Sequence, residues 1–246
     1  MKYFIGACLG IALFSQCSSS GTGTAKDSTA VFDPHTTLFV QGLYKGEFDG
    51  SPIYININYS RGKHIAGYNV HKGLRRNLSG SIQQAADGWE VQLSEPGDHA
   101  FDGTFKLLFD ANFATAKGQW TPLNTPSLKE KKFTISRAEQ VNDHDGSDFA
   151  PGNTYAADHA DISFDQDGSC VFNFYDKITD STYADQMTTV RGTWDRKDSG
   201  IVVNWQKNEH WDKATSSFTL AYQRTNEGSS YMTGIAGEGY EFSMPF

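Results

Sequence analysis

Ile53-Tyr54-Ile55-Asn56-Ile57-Asn58-Tyr59 decides the fold class. Ile53, Ile55, Ile57 and Tyr59 fall on one face; Tyr54, Asn56 and Asn58 fall on the other. A period of two with β-branched residues on one side describes a half-buried strand. Asp49-Gly50, just before it, supplies a hairpin turn that tolerates positive φ. Arg61-Gly62-Lys63, just after it, turns the chain again.

The same unit repeats outward in both directions. Alternation and turn residues predict strands near 38–48, 52–59, 64–71, 74–83, 88–94, 101–110, 115–121 and 131–137. Their connections are short and glycine-rich, as in Ala86-Asp87-Gly88 and Glu95-Pro96-Gly97-Asp98. Residues 138–153 break the rhythm with Asp143, Asp145, Gly146, Asp148, Pro151 and Gly152, and read as a linker. A second run follows, with strands near 160–165, 169–175, 187–195, 200–206, 216–223, 230–235 and 240–245. The expectation is an all-β chain of two antiparallel modules, 38–137 and 154–246. Each is an up-and-down meander, barrel-like or sandwich-like. Closure is favoured because it removes the unpaired edges of an open sheet.

The formal net charge of −8 argues against nucleic acid, which demands a basic footprint. The three cysteines are Cys8, Cys17 and Cys170. Cys170 lies in Ser169-Cys170-Val171-Phe172, where alternation sets it opposite Val171 and makes it a packing residue.

The N-terminus carries a second message. Met1-Lys2 gives a positive start, Tyr3 to Phe14 is an apolar run too short to span a bilayer, and Ser15-Gln16-Cys17 ends it. Ser18-Ser19-Ser20-Gly21-Thr22-Gly23-Thr24 follows. This arrangement resembles the signal and lipobox of a bacterial lipoprotein, although Phe14 and Gln16 depart from the small or aliphatic residues usual there. The resemblance implies a signal peptide at 1–16, a lipidated Cys17 and a flexible tether over 17–37. Several acyl chains on Cys17 would then be the membrane attachment, since one chain alone is marginal. Ser18, with no acid before Asp27, implies a place at the outer membrane, facing the periplasm.

Two short segments echo each other: Gly118-Gln119-Trp120 and Gly192-Thr193-Trp194. The glycine permits close approach of a ring or backbone, and the tryptophan fills the core beside it. Together with Val203-Asn204-Trp205-Gln206-Lys207-Asn208, they resemble core strands of calycin-type barrels, the lipocalin-like and avidin-like proteins. The resemblance implies a ligand cavity inside a barrel; no set of ligand contacts carries over with it.

Tyr44, Tyr54, Tyr68, Trp89, Trp120, Trp194, Trp205 and Trp211 are the candidate ligand-binding residues, because aromatic faces stack on sugars or line an apolar interior. Arg61, Lys63, His64, Lys72, Arg75 and Arg76, with His71, form a basic run in an acidic chain. They are the candidate contacts for an acidic envelope partner or a phosphorylated glycolipid. Glu47, Asp49, Glu95, Asp98 and Asp102 read as turn carboxylates, with glycan hydrolysis as the enzymatic alternative. Asn142 to Asp148 is rich in oxygens but lacks the spacing and terminal Glu of a calcium loop. The histidines show no zinc spacing, and no nucleophile elbow or phosphate loop is present. No catalytic residue, metal or cofactor is expected. Tyr240, Phe242, Met244 and Phe246 alternate like the last strand of an outer-membrane barrel, but the other strands lack a lipid-facing band. The expected function is non-catalytic binding of a small apolar or glycan-like ligand at the cell envelope. The alternatives are a protein-interaction scaffold or inhibitor using 61–76, and a glycan hydrolase.

Overall fold

The computed structural model describes residues 36–139, 147–175 and 187–244. Cys17 with the leader, most of the tether, the aspartates 143 and 145, and Phe246 lie outside the described residues.

Among the described residues, sixteen strands make two closed antiparallel barrels, each an eight-stranded meander. The first contains β1 (Gly42–Phe48), β2 (Ser51–Arg61), β3 (His64–His71), β4 (Leu74–Ala85), β5 (Gly88–Ser94), β6 (Gly103–Phe109), β7 (Thr115–Pro122) and β8 (Lys131–Arg137). The second contains β9 (Thr154–Ala157), β10 (Ala160–Phe164), β11 (Ser169–Tyr175), β12 (Met187–Lys197), β13 (Gly200–Trp205), β14 (Thr215–Arg224), β15 (Ser230–Gly237) and β16 (Tyr240–Ser243). Barrel closure joins β1 to β8 through Tyr44–Arg137, Lys45–Ser136 and Gly46–Ile135. In the second barrel it joins β16 to β9 at Ser243–Ala156.

Three details differ from the sequence expectation. The strand foreseen from residue 38 starts at Gly42, because Thr36–Val40 is a 3-10 helix. Arg137 donates to the carbonyls of Phe39 and Gln41, which fixes that turn and keeps it out of the sheet. Tyr59 does not follow Ile53, Ile55 and Ile57 inward. A register shift between Ile57 and Tyr59 adds a residue to β2, turns Tyr59 out and buries Ser60 in its place. The second module also gains a strand, since β9 lies in a stretch with no long alternation and supplies the closing edge.

One end of the first barrel is plugged. Tyr44 Oη donates to the Val40 carbonyl at 2.7 Å, and the Arg137 guanidinium lies 4.9 Å from the Tyr44 ring centroid. Trp89 stacks on Phe113 and Phe109 packs edge-on to Tyr44 beside them. Above this floor Ile55, Ile82, Val91, Leu107 and Ile135 fill the barrel. The second barrel is packed around Phe164, Phe172, Trp194, Trp205, Phe218 and Phe242. Phe149, in the stretch expected to link the modules, is buried against Tyr155, Phe164 and Trp194 and so belongs to the second core.

Both echoing glycines do the job their motif requires. A Cβ on Gly118 would lie 2.5 Å from the Phe133 ring, and one on Gly192 would lie 2.4 Å from Val203. They occupy non-equivalent strands, however: β7 is the seventh of its barrel and β12 the fourth of its own.

The barrels meet through β2, β3 and β4 on one side and β12 on the other. Tyr54, on the outer face of β2, covers Gly168, and its hydroxyl donates to the Trp194 carbonyl at 3.1 Å. Gly73 N donates to Thr193 Oγ1 at 2.8 Å, Tyr68 Oη donates to Asp167 at 3.0 Å, and Lys45 pairs with Asp195.

Candidate functional site

In an up-and-down meander alternate turns fall at opposite ends. The turns after β1 and β3 and the loops after β5 and β7 therefore share the end opposite the plug. That mouth opens into a cavity of about 790 Å³. Barrel residues Phe48, Ile53, Phe105 and Trp120 line it, joined by Leu74 and Leu128 at the rim. The second barrel roofs it with residues 204–207 and with Ala214 and Thr215. Across the seam, Ser51 Oγ donates to Asn204 Oδ1 at 3.3 Å.

Period-two alternation explains how polar groups reach the cavity. Trp89, Val91 and Leu93 point inward along β5, and Glu95 takes the next inward position. Asn69 and His71 do the same at the end of β3. Glu95 is buried, 8% exposed as a residue. Oε1 accepts from Asn69 Nδ2 at 2.8 Å; Oε2 accepts from Gly103 N at 2.6 Å and more distantly from Trp120 Nε1 at 3.5 Å. Burial pushes the Glu95 carboxyl above its ordinary value, the three donors only partly offsetting it.

His71 Nδ1 lies 3.0 Å from the Pro52 carbonyl, so Nδ1 carries the proton in that hydrogen bond and Nε2 is left as an acceptor. Burial holds the imidazole below its usual range, against the opposing pull of the Pro52 bond. The ring packs edge-on to Phe48.

Two of the rim cations, Arg76 and Lys131, are paired with carboxylates. Arg76 makes a bidentate pair with Asp102, through Nε at 2.9 Å and Nη2 at 2.6 Å, and also meets Asp98. Burial alone would raise the Asp102 carboxyl, but Arg76 and the amides of His99 and Gly97 outweigh it and hold it low. Lys131 pairs with Asp49 and keeps that carboxyl below its ordinary value. Among the described residues no group of three or more His, Cys, Asp or Glu is arranged to hold a metal ion.

Of the eight aromatic candidates, Trp120 and Trp205 line this cavity. The Trp205 ring itself is seated in the second core, with Nε1 donating to Ser216 Oγ at 2.7 Å. Tyr44 and Trp89 belong to the plug. Tyr54 and Tyr68 belong to the contact between barrels. Trp194 donates to the Asp165 carbonyl inside the second barrel, and Trp211 packs on Phe172 and Phe174 at its end.

The basic run is divided by the fold. Arg61, Lys63 and His64 sit at the plugged end of the β2–β3 hairpin. Lys72 and Arg76 line the mouth, roughly 23 Å away at the ordinary strand rise. Arg75 lies 3.7 Å from the Tyr68 ring centroid, next to the second barrel. The structure thus does not gather these six into one surface. Phe48, Asn69, His71, Glu95 and Phe105 are cavity residues outside the aromatic candidate set. Their signal was a polar or aromatic residue standing where alternation points inward.

No protein-family model, curated protein or solved structure matches the chain.

Proposed function

We propose that this chain is a non-catalytic binding protein that holds a small apolar or glycan-like ligand in the mouth of its first barrel. One observation carries the reading: a cavity of ligand size, walled by aromatic and aliphatic side chains, with a few buried polar groups converging on it. The second barrel supplies the roof, so both modules belong to one site. The lipobox-like Cys17 supports attachment to the membrane outside the cytoplasm, with the acidic body held at the envelope by its acyl chains.

Native mass spectrometry of residues 18–246, exported without the lipid anchor, tests the binding role. The expected result is a discrete extra mass that is lost on denaturation. A bare polypeptide mass, with Trp120 fluorescence unmoved by apolar ligands and by oligosaccharides alike, would overturn it.

Hydrolysis of a glycan has one observation in its favour. Glu95, pushed up by burial, and Asp49, held down by Lys131, line the same cavity, and opposed carboxyl pairs of this kind perform acid and base steps. It stands second because both groups are already engaged: Glu95 accepts from three donors, and Asp49 is paired with Lys131. Turnover of chromogenic glycosides that disappears in Glu95→Gln would promote it.

A further inference from the structure

We infer that the mouth cavity selects a ligand carrying a protonated amine on an apolar body, with the Glu95 carboxylate receiving the amine. The inference rests on the binding role proposed above and names the chemistry of its ligand.

The first step is the inventory of the Glu95 oxygens. An ionised carboxylate offers about four acceptor positions and no donor. Three are engaged, by Asn69 Nδ2, Gly103 N and the more distant Trp120 Nε1. Oε1 accepts from Asn69 alone among these three, which leaves it room for one more donor from the cavity. His71 offers an acceptor as well, because its Nδ1 is committed to Pro52. A ligand that matches these two groups must bring N–H or O–H donors. A carboxylate or phosphate ligand would meet Glu95 as a like charge at close range.

The second step separates an amine from a neutral donor. Glu95 is withdrawn from water in a cavity it shares with Phe105 and Trp120, and a buried carboxylate gains most from a partner of opposite charge. The surrounding ring faces favour a cation too. The Lys131 ammonium already lies 5.9 Å from the Phe48 ring centroid.

The third step concerns the basic rim. Arg76 is bonded to Asp102 and Asp98, and Lys131 to Asp49, so these cations are compensated where they stand. Lys72 and Lys207 line the mouth as exposed side chains, where water and salt weaken their reach. None of them cancels the carboxylate at depth. The remaining walls, Phe48, Ile53, Leu74 and Leu128, suit an aliphatic or aromatic body attached to the amine.

Calorimetric titration of the purified chain with octylamine, octanol and octanoate distinguishes the possibilities. Octylamine is expected to bind at least about tenfold more tightly than octanol, with octanoate weakest. Glu95→Gln is expected to bring octylamine to within about threefold of octanol, the two measured side by side on the variant. Equal affinities for the three probes in the wild-type chain would overturn the amine preference and leave the cavity as a general apolar site. So would an octylamine advantage that survives Glu95→Gln. Absence of binding by all three, together with a bare mass in the native spectrum, would overturn the preference and the binding role together. The wild-type probe series gives its answer even if the variant folds poorly.

Discussion

Burial acts on His71 and Glu95 in opposite directions, and the two side chains face one cavity. For His71 the folded pKa lies below its ordinary value of about 6.5, so the unfolded chain takes up the proton first as pH falls. The stability linked to a neutral His71 is complete above about pH 6.5 and is lost as pH drops towards the folded pKa. For Glu95 the folded pKa is raised, so the native state holds the proton longer. Its contribution is complete below the ordinary carboxyl pKa and is lost as pH rises through the folded value. His71→Gln should therefore flatten the loss of thermal stability between pH 7 and 5. Melting temperatures across that range check it, and an unchanged slope relative to wild type would contradict the assignment. Glu95→Gln should move the slope the other way, steepening the loss on acidification. These two residues also show what was readable at this scale. Trp89-x-Val91-x-Leu93-x-Glu95 places a carboxylate on an inward position, and Ile65-x-Gly67-x-Asn69-x-His71 does the same for two further polar groups. A break in hydrophobic alternation at a strand end was thus the legible trace of the site. The aromatic count was a weaker guide, since a tryptophan in a β-barrel serves a plug or a core as readily as a cavity.

Strands and turns were legible because each hairpin carries its own local chemistry. Asp49-Gly50, Lys72-Gly73 and Glu238-Gly239 all turn with positive φ at both residues, and all are visible as an ordinary residue followed by glycine. What local chemistry does not encode is how a meander closes. β9 has four residues, and its bridge to β16 is one residue pair, against three pairs between β1 and β8. The 3-10 helix was hidden for a related reason, since the Arg137 bonds that hold it come from the last strand of the same barrel, distant in sequence. The unequal seams have a dynamic consequence. Fewer ladder bonds mean a smaller free energy for local opening. Amide hydrogen exchange should be faster in Thr154–Ala157 and Tyr240–Ser243 than in the facing parts of β1 and β8. Equal protection at the two seams would show that side-chain packing, with Phe242 and Tyr155 buried against the core, compensates for the missing ladder.

At the scale of the whole molecule the question is whether the two barrels act as one body. The contact between them is built from few, specific groups, chief among them Tyr54. Its ring is 4% exposed although it lies on the outer face of a barrel, and burial together with the neighbouring Asp195 and Asp167 pushes its phenol far above the usual range. Burying an aromatic side chain of this size is worth about 1.5–3 kcal/mol. Its hydroxyl satisfies the Trp194 carbonyl, which would otherwise cost about 1–3 kcal/mol in a buried setting. Gly168 makes the approach possible: a Cβ there would stand 2.2 Å from the Tyr54 ring, and the residue's φ of +82° already favours glycine. Tyr54→Phe keeps the ring and loses one bond, so it should cost about 1–2 kcal/mol in a single unfolding transition. Tyr54→Ala removes ring and bond together, and it strips the contact without touching either core, because neither barrel interior contains this side chain. Calorimetric unfolding of Tyr54→Ala should therefore separate into two transitions, one for each barrel, where the wild-type chain shows one. Because residues 204–207 roof the cavity from the second barrel, the same variant should also weaken the ligand binding proposed for the mouth of the first. A single transition with unaltered ligand affinity would mean that the Lys45–Asp195, Gly73–Thr193 and Tyr68–Asp167 contacts hold the barrels in register without Tyr54.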